Sequence, residues 1–551
     1  MGESVYGKLL SAFINLENMD RKYKVIVWSL LLLSAVMLSV PFLVHSCGAL
    51  SLLAFVPLLC AERIMSQLNM KLVWLRLYCS FVLWNAFTTF WVCNATVGGG
   101  IAAIVLNAAQ MTIVFCLFRF VKKRFGGVLP YIFLAVAWIA WERAYFSADI
   151  SWPWLTLGNS FARTLPLVQW YSITGTLGGS LWVWACNLSV FGLMTVLSDG
   201  SWAQRFNVKA KIASVFGVCA VFIVPIVYSL VLWYSPSPEP DGEIEVLEIQ
   251  PNIDPYHKFE AMTQRQQTEL LLGMAEEAVV PADSLSGLLI LAPETFTNDI
   301  TVGHYDQSPT WRSFVSFLSG HPGVEMLFGA SSYEYEISKE RPSYTARKIA
   351  DSLWYESHNS ALLVDASGRT EIYHKSRLVV AVEMMPYPRV FAPIDRALGG
   401  VMGHCIGQDS VSLLHFRDSI PIGCAVCYES VYGDFYRDYV LKGAKAMTVI
   451  TNDAWWGDTP GYRQHNSYAS LRAIETGRAI ARCGNTGISG FIDVKGRIVQ
   501  RGPWWEKTTL RGSLPLYSGM TPFVIYGDVT GKLCVWLFWM LLCAAVVKKW
   551  K

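Results

Sequence analysis

Residues 421–429 read Pro-Ile-Gly-Cys-Ala-Val-Cys-Tyr-Glu, and this stretch decides the fold of the half of the chain that contains it. Its apolar, partly β-branched start predicts a short buried strand that ends at Cys427 and passes into the polar turn Tyr428-Glu429-Ser430. A cysteine at a strand end is a candidate nucleophile, but free cysteine is also among the most buried residue types and commonly acts as a small hydrophobe. Reactivity requires a thiolate, and therefore a base or a cation beside it. Cys424, three positions earlier, points to the opposite face of such a strand. The pair therefore reads as one candidate nucleophile and one packing residue, not as a redox couple.

Outward from this strand, composition divides the chain. Of 551 residues, 53% are hydrophobic and only 16% charged, with 22 tryptophans, and mean hydropathy is +0.34; much of the length is suited to lipid. A net charge of +3 is too small to imply a nucleic-acid partner. The 13 cysteines are scattered and form no zinc-type spacing, so neither a metal nor a cofactor is called for. The first apolar run is too long for a signal-peptide core, so no cleavable signal is expected.

Apolar runs cover residues 25–44, 47–60, 72–93, 101–121, 128–146, 167–197, 212–234 and 533–547, predicting about eight transmembrane helices. Basic clusters precede the first run (Arg21, Lys22 and Lys24) and follow the second (Arg63 and Lys71), fourth (Arg119 to Arg124), sixth (Arg205 to Lys211) and eighth (Lys548 to Lys551). If all eight segments span, every cluster lies on one side, the cytoplasm by the positive-inside rule. The expected organisation is residues 1–234 as helices one to seven, 235–528 as an extracytoplasmic domain, and 529–551 as an eighth helix with a cytoplasmic basic tail. The loop Ser151-Trp152-Pro153-Trp154-Leu155 reads as an interfacial aromatic segment.

Pro236, Pro238 and Pro240 make a short stiff linker. Beyond it, strand-like runs at 244–250, 287–292, 325–330, 361–365, 420–427, 446–451 and 487–493 alternate with helix-like stretches at 259–278, 305–318, 431–441 and 463–482. That alternation predicts one α/β domain.

Two other segment ends join Cys427. Glu294 follows the apolar run Leu289-Ile290-Leu291-Ala292 and Pro293, and Lys375 lies in Tyr373-His374-Lys375-Ser376. Singly, each is an ordinary surface charge. As an ordered Glu, Lys, Cys set they resemble the nitrilase, or carbon–nitrogen hydrolase, superfamily over most of 243–514, including Val246 to Asp254 and the segment Asn452-Asp453-Ala454-Trp455-Trp456-Gly457. With membrane helices on both sides, the whole chain resembles the apolipoprotein N-acyltransferase family. The resemblance implies a nitrilase-like αββα sandwich on a membrane helical bundle, in the periplasm of a bacterial inner membrane. It further implies transfer of an acyl chain from a phospholipid to the α-amino group of the N-terminal diacylglyceryl-cysteine of an apolipoprotein. Family motifs match at Glu294, Lys375, Glu383, Cys427, Tyr428, Glu429 and Trp455. Two departures stand out: Val380-Ala381-Val382 precedes Glu383 in place of a Phe-Gly type sequence, and Phe259 stands where some members carry Trp.

The chemistry fits these residues. Glu294 in a low-dielectric pocket is a candidate general base for the Cys427 thiol, and Lys375 a candidate partner for the oxyanion formed on attack. Glu383 and Glu429 are candidate supports, either positioning Lys375 and the incoming amine or acting only as structural ion pairs. Trp455, Met384 and Met385 are candidates to cover a mouth for acyl chains. Two readings stay open beside acyl transfer: a membrane-tethered amidase that passes its thioester to water, and a ligand-binding membrane protein without catalysis.

Overall fold

The computed structural model describes residues 5–198, 208–255, 258, 262–280, 283, 287–397 and 402–548. Helices α1 Val5–Leu43, α2 Val56–Gln67, α3 Val73–Thr89, α4 Val97–Arg124, α5 Leu129–Tyr145, α6 Tyr171–Ser198, α7 Val208–Tyr234 and a final helix Val529–Val547 follow the eight apolar runs. Six segments are long and apolar enough, by length and composition, to cross a membrane among the described residues. The other two, α3 and α5, have 17 residues each.

Hydrogen bonds fix the direction of successive helices. At one end of the bundle, Glu62 of α2 pairs with Arg119 and Lys122 of α4 at 2.5 and 2.6 Å, and Arg124 donates to the Lys548 carbonyl. At the other end, the Phe42 and Thr88 carbonyls of α1 and α3 accept from Gln464, and Arg143 of α5 bonds Asp434 and Asp528. The basic ends of α2, α4 and the final helix thus lie opposite the α/β domain, an alternation that needs both 17-residue helices. Inside the bundle, Phe55, Trp84, Trp138 and Trp184 form a buried aromatic core. Asn187 fastens two of its parts by accepting from Phe55 and Val56 N–H and donating to Ser51 O.

Two sheets form the centre of the α/β region. The first runs β14-β1-β2-β4-β6-β5, with β3 paired to β4 and β7 to β6; its strands are β1 Gly242–Gln250, β2 Leu288–Leu291, β3 Thr297–Thr301, β4 Val324–Ile337, β5 Arg347–Ala350, β6 Leu353–Val364, β7 Thr370–His374 and β14 Thr508–Leu516. The second runs β13-β12-β11-β10-β9-β8, with β8 Leu413–Phe416, β9 Ile420–Val426, β10 Ala446–Thr451, β11 Ile480–Gly484, β12 Gly490–Ile492 and β13 Ile498–Arg501. The period-two side-chain alternation of strands explains the layering. On one face of the first sheet, Val246, Leu289 and Leu363 join a buried cluster with Cys424, Val426 and Val449 of the second. On the opposite face, Leu247, Ile290 and Phe328 pack on α8 Gln264–Ala278 and α9 Pro309–Ser319 through Leu271, Ala275 and Phe314. Beyond a short helix α10 Pro388–Ala397, α11 Gly433–Leu441 and α12 Pro460–Thr476 cover the second sheet. This is the expected αββα sandwich; the closing helix of the bundle is α13, Val529–Val547.

Two sequence expectations change, and a third lies outside the described residues. The helix expected over 463–482 stops at Thr476, where Gly477 takes a left-handed φ of +63°; residues 480–484 form the buried strand β11. The aromatic segment 151–155 does not face lipid: Trp154 is fully buried and donates to Gln464 at 2.6 Å, while Tyr468 donates to the Trp154 carbonyl. It joins the bundle to the α/β domain. Phe259, where the family pattern is departed from, lies outside the described residues.

Candidate active site

The three candidate residues arrive from three strand ends. Glu294 follows β2 in a loop held against β4 by Gly329 N–H to Pro293 O and Phe296 N–H to Gly329 O. Gly329 is needed there, since a Cβ would sit 2.5 Å from Glu294 Cα. Lys375 comes directly after β7, and its N–H donates to Asn359 O at 2.8 Å. Cys427 comes directly after β9 with φ +52°, a left-handed conformation that costs a non-glycine residue about 1–3 kcal/mol. The sharp turn directs the chain from the buried strand into the helical turn Cys427–Val431.

The structure brings Glu294 and Glu383 together around the Lys375 ammonium, with Cys427 near enough to feel the charges of Lys375 and Glu294. Nζ lies 3.0 Å from Glu294 Oε1 and 3.0 Å from Glu383 Oε1. Glu294 Oε2 also accepts from Asn452 N–H at 3.1 Å, and Glu383 Oε2 from Val379 N–H at 2.7 Å. Lys375 is 1% exposed and Glu294 7%, so this is a desolvated charge cluster. Burial opposes the Lys375 charge, but Glu294 and Glu383 outweigh it and hold the ammonium well above its usual range. Burial first, then the negative charge of Glu294, pushes the Cys427 thiol well above its ordinary value, against the pull of Lys375.

The other candidates divide. Glu383 touches Lys375, whereas Glu429 does not: its carboxylate accepts from the Tyr373 hydroxyl and the Ser376, Arg377 and Val426 N–H groups at 2.6, 2.7, 3.2 and 2.8 Å. Burial pushes Glu429 up to about 7 against the Tyr373, Val426 and Ser376 donors and the charge of Lys375. It fastens the turn after Cys427 to the segment that carries Lys375. Tyr428 is buried and donates to the Ser151 carbonyl at 3.0 Å, anchoring the same turn to the membrane bundle. Cys424 is fully buried, with burial pushing its thiol up to about 12. Trp455 is 41% exposed, and Met384 lines a cavity of about 300 Å³ with Ser376, Arg377 and Phe435. Met385, grouped with them from sequence, is 3% exposed and packs inward.

Two features escape sequence reasoning. Asn359, inside β6, donates to Glu294 at 2.8 Å and Glu383 at 2.6 Å. His465 of α12 lies with Nε2 3.1 Å from the Cys427 carbonyl oxygen and 3.0 Å from Ser430 Oγ; its Nδ1 is 2.8 Å from Asp453, which pairs with Arg482 at 2.6 Å. The Cys427 Sγ, an Asp453 oxygen and a His465 nitrogen lie within 4.8 Å of one another, but the guanidinium already neutralises the acid and is a poor neighbour for a metal cation. Asp453 stood in the quoted Asn-Asp-Ala-Trp segment; nothing local marks His465, because α12 is buried on all sides from Gln464 to Thr476.

Both halves of the chain match known protein domains. Residues 339–518 match the carbon–nitrogen hydrolase domain, and 34–189 match the apolipoprotein N-acyltransferase N-terminal domain. The apolipoprotein N-acyltransferase of Chlorobaculum tepidum is 29% identical over 524 residues, covering 91% of this chain and 92% of its own. That of Geobacter metallireducens is 26% identical over 514 residues, with 91% and 92% coverage. Matched by the domain models in both halves and by these relatives along 91% of its length, the chain belongs to the apolipoprotein N-acyltransferase family.

Proposed function

We propose that this enzyme moves an acyl chain from a phospholipid, through a thioester on Cys427, to the α-amino group of the N-terminal diacylglyceryl-cysteine of apolipoproteins. The observation that carries the reading is the buried Glu294–Lys375–Glu383 cluster, whose charges act on Cys427, a residue on a turn fastened to the membrane bundle through Tyr428 and Ser151. In the first step Glu294 takes the thiol proton as sulfur attacks the ester carbonyl. Two of the three Lys375 N–H bonds are engaged by carboxylates, which leaves the third for the oxyanion, an interaction worth about 3–4 kcal/mol. The C–O bond breaks, the proton on Glu294 passes to the departing oxygen, and a lysophospholipid leaves. In the second step the lipoprotein amine attacks the thioester, its proton passes by way of Glu294 to the departing thiolate, and Cys427 is regenerated. This is a ping-pong cycle with Glu294 as the shuttle.

The bundle suits such substrates, since both are held in a lipid leaflet. The basic helix ends facing away from the α/β domain support a cytoplasmic bundle end and a domain on the outer face of a bacterial inner membrane. The test is incubation of the purified full-length enzyme with phospholipid and a diacylglyceryl-cysteine peptide. The peptide is expected to gain the mass of one acyl chain at its amine; release of free fatty acid with no such gain would overturn acyl transfer in favour of hydrolysis.

A further inference from the structure

A second cavity, of about 810 Å³, lies between the bundle and the α/β domain. Its α12 wall is the stripe Arg463, Asn466, Ser467 and Ser470, the i, i+3, i+4, i+7 face of that helix. His465 is two positions from Arg463, about 200° around a helix of 3.6 residues per turn, and it is His465 that meets the Cys427 carbonyl. The cavity therefore sits on the face of α12 turned away from the proposed nucleophile. Its other walls come from the turn after α1 (His45), the segment 162–167 and the end of α7 (Trp233), the ends of two helices long and apolar enough to cross a membrane, where lipid headgroups would lie. Tryptophan at a helix end marks that level.

The charge here is one-sided. His45, Arg163, Arg463 and Arg501 line the space, and no aspartate or glutamate does so among the described residues. Arg463 pairs with Asp458 at 2.8 Å, outside the lining. Arg163 donates to a neutral partner, the Leu43 carbonyl, at 2.8 Å, and Arg501 is exposed. Burial, then Arg463 and Arg501, hold the Arg163 guanidinium below its usual range; burial, then Arg163 and Arg501, do the same to His45. Arg163 and Arg501, for which no acidic partner is seen among the described residues, converge with the Asp458-paired Arg463 on a roomy pocket, a geometry that matches a phosphate, which guanidiniums bind through paired N–H donors.

We propose that this cavity is a second binding site, a seat for the phosphate of an anionic membrane lipid, separate from the site of acyl transfer. Its place at the headgroup level favours a phosphate carried by lipid over free phosphate, because the lipid's tails stay in the bilayer while its phosphate reaches the arginines. A bound lipid would tie the α/β domain to the membrane surface through α7 and the 162–167 segment. The proposal does not depend on the acyl-transfer reading, since the test does not measure turnover.

The full-length protein is examined by native mass spectrometry with phosphatidylglycerol, as wild type, R501E and R501K. R501E is expected to retain one phosphatidylglycerol fewer, with binding weakened roughly tenfold by loss of a charge-assisted contact and addition of a like charge, while R501K retains the wild-type number. Equal retention by all three overturns the proposal. Hydrogen exchange on the unmutated protein supplies a check independent of folding of the variants. Residues 162–167 and 495–501 are expected to gain protection with phosphatidylglycerol and not with phosphatidylcholine, and equal protection by both overturns it. Displacement of the extra lipid by millimolar inorganic phosphate would assign the seat to phosphate in general, and its persistence would assign it to the lipid; both outcomes support an anion site.

Discussion

The Asn359 amide nitrogen lies 2.6 Å from Glu383 Oε1 and also reaches Glu294 Oε1 at 2.8 Å. One neutral amide therefore holds together two carboxylates that also share the Lys375 ammonium. Without that donor the two acids repel across a desolvated site. Replacing Asn359 by alanine is expected to slow thioester formation about 10- to 100-fold, the equivalent of the roughly 1–3 kcal/mol cost of an unsatisfied buried acceptor. Replacement by aspartate, which adds a third acid, is expected to be worse. Single-turnover formation of the acyl-enzyme checks this; a wild-type rate in N359A would remove Asn359 from the machinery.

The two cysteines of the 421–429 stretch are expected to behave oppositely. Cys427 lies at the strand end near Lys375 and Glu294, whereas Cys424 is fully buried within β9. C427A should abolish acyl-thioester formation, measured as a covalent mass increase on the intact protein. C424A should keep it, with a stability loss of about 1 kcal/mol for the smaller buried side chain. Loss of the thioester in C424A with the fold intact would sink the assignment.

The strand pattern around Cys427 was readable because β9 and β10 are short apolar runs bounded by polar turns. What surrounds them was not. Asn359 sits within a twelve-residue strand, where period-two alternation says which face it takes but not that two acids converge on it. The end of α12 was overrun by six residues because Arg478 to Arg482 fits a helix as well as a strand; only Gly477 in the left-handed region stops it. The burial of Trp154 could not be read either, since Trp and Pro suit a lipid interface and a protein interface alike.

Gly329 offers a test of backbone approach. A methyl group there would meet Glu294 Cα at 2.5 Å, Thr295 N at 2.6 Å and Pro293 O at 2.7 Å, all backbone atoms that cannot rotate away. G329A is expected to cost about 1–3 kcal/mol in stability and to displace Glu294 from Lys375, lowering the acylation rate more than the affinity for phospholipid. Unchanged melting temperature and rate would show that the Glu294 loop yields freely.

The pair of Asp453 and Arg482, both fully buried at 2.6 Å, gives the last prediction, a dependence on pH. Burial alone would raise the Asp453 carboxyl, but Arg482 and His465 outweigh it and hold it well below the usual carboxylate range. An unfolded aspartate titrates near about 3.9, so below that value the unfolded chain binds more protons than the native one. The stability this pair contributes is therefore complete above about pH 5 and is lost as pH falls below about 4. D453N removes the charge at every pH and leaves a buried guanidinium unpaired, at a cost of about 3–5 kcal/mol. Thermal unfolding of both proteins from pH 7 to pH 3 is expected to show a large gap at neutral pH that narrows on acidification. A gap of constant size across that range would mean that Asp453 is not the group being titrated.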